Sequence, residues 1–354
     1  MKAWRIDRHG GNEVLSRVDR PDPVPGPLEV KVRVEAVGLN HLDLWVRKGV
    51  PGHQFPLPLT PGSDVAGVID AFGPGAEAVL GRDGLKVGSP VLLNPGISCG
   101  RCEACLSGQD PLCRHYGILG ETTDGGLADF VVASAVNVIA RPATLSAVEA
   151  AALPIPFLTA WTMLAKKAQV RAGELVLIQA GGSGVSVAAI QIAKLLGATV
   201  ITTVGSDEKI DKARDLGADH VIQYRKTPFR PELKRILTGL GRKGCEIVLD
   251  HVGAETFSDS LKSLTWGGRF VTCGATSGGE VALDLKAVFF KNLSILGVTM
   301  GSKADLLRIV DLVATRRLRP VISETLNVDE LPRAMDLLEE RKVFGKIVLT
   351  AGEP

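Results

Sequence analysis

The chain has 354 residues, more than a single hydrophobic core usually holds, so its length predicts two domains. Hydrophobic residues make up 45% and charged residues 23%, a balance that is typical of a globular protein and excludes a disordered chain. Lysine and arginine number 41 against 39 acidic residues, so charge gives no reason to expect nucleic acid or an anionic membrane as a partner.

The sequence also lacks the apolar segments that direct proteins to membranes. Its first residues contain no apolar core of a secretory signal, and no apolar run reaches about 18 residues, the length of a membrane span. Most of the cysteines crowd into residues 99–113, which is unlike a disulfide framework. We therefore expect a cytoplasmic protein in a reducing compartment.

Residues 1–150 have the pattern of a small β-barrel or sandwich with long loops. Between residues 28 and 35 apolar and polar side chains alternate, which is the period of a half-buried strand. Short apolar runs follow at 65–69, 91–93 and 130–138, separated by glycine and proline. The first domain is therefore predicted to be rich in β-structure.

From residue 174 onwards, predicted strands alternate with predicted helices. The strands fall at 175–179, 199–204, 221–223, 246–252, 269–273 and 293–298, and the helices near 185–196, 207–216, 231–240 and 254–264. Continuous apolar strands that alternate with helices predict a parallel sheet covered on both faces, of the kind that binds dinucleotides. Looser helices near 303–315 and 328–339 precede a last strand at 346–350, which we expect to return to the first domain.

One motif stands out by the spacing of its thiols: Cys99, Cys102, Cys105 and Cys113. Separations of two, two and seven residues let one loop place four thiolates round one ion, and four thiolates close the tetrahedral shell of Zn²⁺. A closed shell has no position for substrate, so we predict one structural zinc per chain, in a lobe at residues 94–115. An iron–sulfur cluster and unmetallated thiols are the alternatives, and Cys245 and Cys273 are expected in the core.

A glycine-rich turn follows the first predicted strand of the second domain and opens a helix. Its residues are Gly181, Gly182, Ser183, Gly184 and Val185. In such a turn backbone N–H groups and the helix N-terminus face a pyrophosphate, so we predict a dinucleotide site here. The Gly-x-Gly-x-x-Gly pattern is incomplete, and a tight turn without a ligand is the alternative.

The residues after the second strand bear on the choice of dinucleotide. Gly205, followed by Ser206, stands where an acidic residue would bind the adenosine ribose of NAD, so no carboxylate at that position repels a 2′-phosphate. Lys209 follows closely. Asp207 is explained as a first-turn helix residue favoured by the helix dipole, although it could also swing inward to a ribose. We predict NADP(H) in preference to NAD(H).

Taken together, these segments resemble the medium-chain dehydrogenase/reductase superfamily across essentially the whole chain. The anchors, in chain order, are Gly62-Ser63-Asp64-Val65-Ala66-Gly67, the cysteine loop, Leu158-Thr159-Ala160-Trp161, the glycine-rich turn, Asp250-His251-Val252-Gly253 and Gly345-Lys346-Ile347-Val348-Leu349. The resemblance implies a two-domain α/β fold: a GroES-like β-barrel catalytic domain and a Rossmann domain with a doubly wound parallel sheet. It places the GroES-like domain at 1–150, the Rossmann domain at 151–292, and a last Rossmann strand with the return to the GroES-like domain at 293–354.

The resemblance also implies a nicotinamide cofactor and a small-molecule substrate. It places Thr159, Val252, Gly253 and Gly274 near that cofactor, and Lys346 of the closing strand joins the predicted cofactor-binding residues. It further suggests a homodimer or homotetramer, formed through a strand at 293–300.

Zinc alcohol dehydrogenases of the superfamily carry a catalytic zinc as well, and here this chain departs from them. Asn40 stands at the first ligand position, Ser63 at the second and Pro156 at the third, and none of these residue types is a practical zinc ligand. The pairing of Asn40 with Asp43 instead resembles the zinc-independent quinone and enone reductases. A degenerate metal site near Asn40, Ser63 and Asp64 is the alternative.

Without a metal, hydride addition to a conjugated acceptor is easier than alcohol oxidation, because hydrogen-bond donors can stabilise an enolate or quinol. We therefore predict reduction of a quinone or an α,β-unsaturated carbonyl. The candidate catalytic residues are Asn40 as the donor, Ser63 as a second hydroxyl, Asp43 as an orienting or proton-relaying group, and Thr159. Alcohol–aldehyde interconversion is the alternative within enzymes, and a non-catalytic cofactor-binding sensor or structural protein is the alternative of another class.

Overall fold

The computed structural model describes residues 1–352, which separate into two compact units. Unit one contains Met1–Ile155 and the chain from Ser302 onwards, and unit two contains Pro156–Gly301. The first unit thus extends to Ile155, and the chain re-enters it at Ser302, after the segment 293–301 that remains in unit two. Within the described chain, no helix combines the length and the apolar character needed to span a bilayer.

The first part of the chain is mostly strands joined by long loops. Its strands are β1 (Lys2–Ile6), β2 (Leu15–Asp19), β3 (Glu29–Gly38), β4 (Asp64–Phe72), β5 (Pro90–Leu93), β6 (Gly96–Ile97), β7 (Gly117–Ile118), β8 (Phe130–Ser134) and β9 (Val138–Ala140). Its helices are α1 (His41–Lys48), α2 (Ala76–Leu80), α3 (Glu103–Leu106) and α4 (Ala147–Ala151).

Helices and strands alternate in the rest of the chain. The helices are α5 (Pro154–Trp161), α6 (Gly184–Leu195), α7 (Glu208–Asp215), α8 (Phe229–Gly239), α9 (Phe257–Lys262), α10 (Leu285–Lys291), α11 (Lys303–Ala314) and α12 (Leu331–Glu339). The strands are β10 (Leu175–Ile178), β11 (Thr199–Val204), β12 (His220–Gln223), β13 (Cys245–Leu249), β14 (Leu264–Thr272), β15 (Ser294–Gly297), β16 (Ile322–Asn327) and β17 (Lys346–Thr350).

The main sheet of unit one has the order β16-β17-β3-β4-β5-β9, with β8 also paired to β3. On β3 the predicted alternation is confirmed for Val30, Val32 and Val34, which are buried between more exposed polar neighbours, whereas Leu28 precedes the strand and is 52% exposed. The last strand returns as expected: β17 pairs antiparallel with β3, with Val348 opposite Gly38. This pairing places the C-terminal strand directly beside the strand that leads to Asn40.

The sheet of unit two is parallel throughout and has the order β12-β11-β10-β13-β14-β15. All side chains of β10 are buried, because a central parallel strand is covered on both faces. The strand order reverses between β10 and β13, which is the topological switch point of a doubly wound sheet. Ligands of such sheets bind outside the carboxyl ends of the strands at this point.

Several elements differ from those expected from the sequence. The apolar run at 130–138 is two strands, β8 and β9, separated by a 3₁₀ turn whose Asn137 side chain donates to the carbonyls of Asn94 and Gly96. The strand expected at 246–252 ends at Leu249, because the Asp250 side chain accepts from the next backbone N–H groups. The hairpin of β1 with β2 and the strand β16 were not predicted, since neither has a strong alternation of apolar residues.

Candidate active site and cofactor site

A buried ion pair lies at the centre of the candidate active site in unit one. Lys346 Nζ lies 3.0 Å from Asp64 Oδ2, and the side chains of Lys346 and Asp64 are 5% and 0% exposed. Asn40 joins the pair: its Oδ1 accepts from Lys346 Nζ at 2.8 Å, and its Nδ2 donates to Asp64 Oδ2 at 2.9 Å. The backbone N–H of Ile155 donates to Asp64 Oδ1 at 2.8 Å. The pair thus has the additional hydrogen bonds that a buried ion pair requires.

The register of three strands explains why these side chains meet. Gly38 of β3 lies opposite Asp64 of β4 and opposite Val348 of β17. Asn40 follows β3 by two residues and Lys346 precedes Val348 by two residues, so the two side chains lie at the same end of adjacent strands. The arrangement is therefore a product of the sheet and not of neighbouring positions in the sequence.

This network changes the role that Asn40 can have. One amide hydrogen of Asn40 goes to Asp64, and Nδ2 also donates to the carbonyl of Gly38 at 3.2 Å. Asn40 therefore has no spare N–H for a substrate oxygen in this arrangement, and the donor role expected from the sequence is not available to it. Lys346, which we expected at the cofactor, is instead committed to Asp64 and Asn40.

Asp43 is fully buried and connects α1 to the loop that carries Ser63. Its Oδ2 accepts from the backbone N–H of Asn40 at 2.7 Å, and its Oδ1 accepts from that of Gly62 at 2.9 Å. Burial raises the pKa of Asp43 to about 6, because desolvation disfavours the charged carboxylate. Asp43 thus holds backbone groups on both sides of the site, which is a positioning role.

The hydroxyl of Ser63 is a polar group of this site that has no hydrogen-bond partner in the described chain. Ser63 is 0% exposed, and its Oγ has no hydrogen-bond partner among the residues that the structure describes. A buried hydroxyl left without a partner costs about 1–3 kcal/mol, so such groups are uncommon without a ligand or ordered water. Ser63 Oγ is therefore a buried donor of this site without an acceptor among the described residues.

The four predicted zinc ligands come together in the lobe. Within residues 1–352, they form the only group of three or more His, Cys, Asp or Glu side chains placed to hold a metal ion, with all Sγ atoms within 4.8 Å of one another. Cys99 and Cys105 Sγ lie 3.9 Å apart, and Cys102 and Cys105 Sγ lie 3.5 Å apart. These separations are close to the edge of about 3.8 Å of a tetrahedron with Zn–S bonds of about 2.3 Å. The residues fit a closed structural zinc shell.

Hydrogen bonds outside the loop hold the lobe within unit one. Asp110 accepts from the Ser98 hydroxyl at 3.2 Å and from the backbone N–H of Lys303 at 2.9 Å, which ties the lobe to the start of α11. Around Asn40, Ser63 and Asp64, by contrast, the described chain holds no comparable ligand group.

In unit two, the predicted cofactor residues collect at the carboxyl ends of the parallel strands. Residues 181–185 follow β10, Gly205 and Ser206 follow β11, residues 252–253 follow β13, and Gly274 follows β14. Lys209 lies in the first turn of α7. Thr159 is apart from this group in the sequence, on helix α5, where it is 4% exposed.

A buried polar network that we did not predict fixes this edge of the sheet. Asp250 Oδ1 accepts from the backbone N–H of Val252 at 2.8 Å, and Asp250 Oδ2 accepts from the Ser260 hydroxyl at 2.6 Å. Ser260 Oγ accepts from Gln179 Nε2 at 3.0 Å, and Gln179 Oε1 accepts from the Thr203 hydroxyl at 2.8 Å. The network links the ends of β10, β11 and β13. The Asp250 anchor was visible in the sequence, but its partners lie on other elements.

The turn after β11 is flanked by side chains from the end of β12. A Cβ added at Gly205 would lie 2.8 Å from Tyr224 Oη and 3.7 Å from Arg225 Nε. Asp207 is ion-paired with Lys226. The place that a ribose-binding carboxylate would occupy therefore has an arginine beside it, while the next residue, Ser206, donates its hydroxyl to the Glu208 carboxylate at 3.1 Å.

Family models match both halves of the chain. Residues 26–143 match the alcohol dehydrogenase GroES-like domain, and residues 184–315 match the zinc-binding dehydrogenase domain. An alcohol dehydrogenase of Geobacillus stearothermophilus is 32% identical over 353 residues, which cover 100% of both chains. The chain belongs to the medium-chain dehydrogenase/reductase superfamily. This confirms the resemblance seen in the sequence, the two-domain α/β fold with GroES-like and Rossmann domains, and an NAD(P)-dependent oxidoreductase.

Other members of the superfamily bear names of two different activities. A quinone oxidoreductase of Homo sapiens is 32% identical over 303 residues, which cover 85% of this chain and 81% of that protein. A crystal structure of an NAD-dependent alcohol dehydrogenase matches with a TM-score of 0.92 and 48% identity, covering 99% of this chain and 100% of that one. Proteins named as alcohol dehydrogenases and proteins named as quinone oxidoreductases thus both match this chain at about one-third identity or better.

As a member of this superfamily, the chain offers a consistent place for its nicotinamide cofactor. The glycine-rich turn and the N-terminus of α6 would hold the pyrophosphate, and Gly205 with Ser206 would lie at the adenosine ribose. The residues present fit the group, because small side chains and backbone N–H groups line the turn where the strand order reverses. When bound, the reduced cofactor supplies a hydride.

Proposed function

We propose that this superfamily member reduces a quinone or an α,β-unsaturated carbonyl with NADP(H), without a catalytic zinc, and that it carries one structural zinc per chain. One observation supports this reaction above the others. The positions that hold zinc in the alcohol dehydrogenases of the superfamily carry Asn40 and Ser63, and Asn40 is bound into the Lys346–Asp64 pair. Such a site has no Lewis acid of its own to stabilise an alkoxide.

The residues of the site suit a conjugated acceptor. Such an acceptor takes a hydride at the carbon conjugated to its carbonyl and a proton from solvent, and its oxygen bears the negative charge between these events. The Ser63 hydroxyl has no described protein acceptor, so it would donate to that oxygen in a bound state that opens its 0% exposed position to the substrate. The positive charge of Lys346 is neutralised by Asp64, so Lys346 contributes by holding Asn40 in place rather than by giving up a proton.

The preference for NADP(H) is supported by the surroundings of Gly205. Arg225 lies beside that turn and would favour a 2′-phosphate, and Lys209 adds a second cation nearby. The inward swing of Asp207 that would favour NAD(H) gives up only an exposed ion pair with Lys226, worth at most about 1 kcal/mol, so the preference rests on Arg225 and Lys209. The comparison with a structure named as an NAD-dependent alcohol dehydrogenase makes the choice of cofactor a necessary part of the test.

The decisive experiment is a steady-state assay with both cofactors and both substrate classes. We expect NADPH-dependent reduction of quinones or enones, and little oxidation of primary or secondary alcohols with NAD⁺ or NADP⁺. Ser63→Ala should lower kcat by about a hundredfold, because it removes a donor to the developing oxyanion. Thr60→Val is the matched control: it removes another buried hydroxyl of unit one and should leave kcat unchanged.

Four outcomes would contradict the proposal or one of its parts. Fast alcohol oxidation by the wild-type protein, or a large gain in alcohol oxidation when Asn40→Cys and Ser63→His are combined, would favour a degenerate alcohol dehydrogenase. The cysteine lobe and the 48% identical structure are the observations that make this the alternative to test. Cofactor binding without turnover of any acceptor would favour a sensor or structural protein. Equal kcat in Ser63→Ala and the wild type would remove the assigned role of this hydroxyl.

We also propose that the protein forms a homodimer or homotetramer through the edge of the unit two sheet. The edge strand β15 lies at the end of the strand order, and Ile295 on it is 41% exposed. An unpaired edge can extend across two copies of a chain. Sedimentation of the wild-type protein should show a dimer or tetramer, and Ile295→Lys should shift it toward monomer. A stable monomer at micromolar concentration would refute this assembly.

The remaining expectations from the sequence complete the proposal. The protein would act on a small molecule, without nucleic-acid or membrane partners, because its charges nearly balance. A reducing cytoplasm would keep the four thiols of the lobe available for zinc.

A further inference from the structure

A histidine joins the glycine-rich turn to the strand beside it. His251 follows β13, and its Nε2 lies 2.9 Å from Ser183 Oγ and 3.0 Å from Ser186 Oγ. Ser183 caps α6, since its Oγ accepts from the backbone N–H of Ser186 at 3.1 Å. The Ser186 hydroxyl donates to the carbonyl of Gln179 at 2.7 Å. One ring thus contacts the hydroxyl groups at both ends of the first helical turn.

The hydrogen bonds around the two serines assign the tautomer of the ring. The Ser186 hydrogen goes to Gln179, and the Ser183 hydroxyl donates to Ser186 Oγ at 3.1 Å. Both oxygens then have only lone pairs left for the histidine, so Nε2 must carry a hydrogen to bind them. An unprotonated Nε2 would face the Ser186 lone pairs at 3.0 Å. His251 is therefore a donor shared by the two hydroxyls.

This contact gives a reason for the incomplete glycine pattern. Counted from Gly181, the second and third positions of Gly-x-Gly-x-x-Gly carry Ser183 and Ser186, the two residues that accept from His251. Ser186 is 0% exposed and His251 is 9% exposed, so the contact is shielded from water. A turn of glycines is held by its backbone alone, whereas this turn is also held by side chains from another strand.

We propose that His251 is a positioning residue for the dinucleotide: it holds the glycine-rich turn and the N-terminus of α6 in the conformation that receives the pyrophosphate. A turn ordered before binding loses less conformational freedom when the ligand arrives, so its affinity is higher. The backbone next to the ring is fixed as well. The Asp250 side chain accepts from the backbone N–H of Val252, and the carbonyl of His251 accepts from the backbone N–H of Thr276. The inference rests on cofactor binding at this turn, and not on which acceptor is reduced.

The test is direct titration of NADPH and NADH into the full-length, zinc-loaded protein by calorimetry. His251→Ala should raise the Kd of the preferred cofactor about tenfold, as expected for the loss of one ordinary hydrogen bond. His251→Gln, which keeps an N–H donor at a similar reach, should restore most of the affinity. The KM for the cofactor should rise with Kd, while the KM for the acceptor and kcat at saturating cofactor stay unchanged.

Two further variants separate this role from a general loss of structure. Ser183→Ala with Ser186→Ala should weaken binding as His251→Ala does, and adding them to His251→Ala should cost little more, because they remove the same interaction. His220→Ala is the matched control, since His220 opens β12 at the amino end of its strand and should keep the wild-type Kd.

The outcomes distinguish this inference from the proposed function. A wild-type Kd in His251→Ala, or a Kd in His251→Gln as weak as that of His251→Ala, would overturn the positioning role while leaving the proposed function intact. A wild-type protein that bound neither dinucleotide would refute the proposed function and this inference together.

Discussion

Replacing Lys346 with methionine is expected to lower the free energy of unfolding of unit one by about 3–5 kcal/mol. The substitution leaves the Asp64 carboxylate, which is 0% exposed, without its cationic partner, and water cannot solvate it there. Removing one member of a buried ion pair therefore lowers the free energy of unfolding by far more than the intact pair contributes to it. Chemical denaturation followed by circular dichroism measures the effect.

A matched control and a double substitution test whether the unpaired Asp64 carboxylate causes this loss of stability. Lys48 pairs with Glu339 at the surface of unit one, with the Lys48 side chain 45% exposed, so Lys48→Met should cost less than about 1 kcal/mol. Combining Lys346→Met with Asp64→Asn should cost less than the sum of the single changes. A loss for Lys346→Met no larger than that for Lys48→Met would show that the buried pair does not stabilise the fold.

The same Lys346→Met variant decides whether Lys346 binds the cofactor or holds the Asp64 network. The sequence placed Lys346 at the cofactor, whereas the structure binds its ammonium group to Asp64, Asn40 and the carbonyl of Leu39. An unchanged cofactor Kd in Lys346→Met, with reduced stability, would support the assignment from the structure. A large rise in Kd without loss of stability would restore the original expectation.

Substituting Cys102 and Cys105 with serine is expected to reduce the zinc content from about one ion per chain to none. The four Sγ atoms lie within 4.8 Å of one another, and a shell that loses two thiolates no longer binds zinc tightly. Since binding of a structural zinc contributes about 10–16 kcal/mol in small zinc domains, the lobe should also lose its fixed structure. Elemental analysis of protein purified without added metal measures the first effect, and proteolysis near residues 94–115 the second.

A control cysteine and the metal count of the wild type complete this experiment. Cys273 lies outside the ligand group, so Cys273→Ser should retain about one zinc per chain. About two zinc ions in the wild-type protein would contradict our interpretation of Asn40 and Ser63, and alcohols would then become the first substrates to assay. A wild-type protein without zinc would leave the four thiols unmetallated or as ligands of another group.

The features that could be predicted from the sequence are those carried by neighbouring residues. The thiol spacing of the lobe lies within one loop, so the ligand set was readable directly, and the structure brings the four sulfur atoms together. The alternation on β3 and the apolar run of β10 depend only on which face of the same strand is buried. The absence of zinc ligands at Asn40 and Ser63 was likewise visible, because it required only the residue type at each position.

Only the tertiary structure decided which side chains are hydrogen-bonded or ion-paired with one another. Asp64 and Lys346 are 282 residues apart in the chain, and His251 is 68 residues from Ser183, so no local period relates them. They meet because β3 pairs with both β4 and β17, and because β13 lies beside β10 in the parallel sheet. A hydrogen bond depends on distance in space, and the register of strands that are far apart in sequence sets that distance. For this reason Asn40 could be recognised as a departure from a zinc ligand, but its commitment to Lys346 and Asp64 could not.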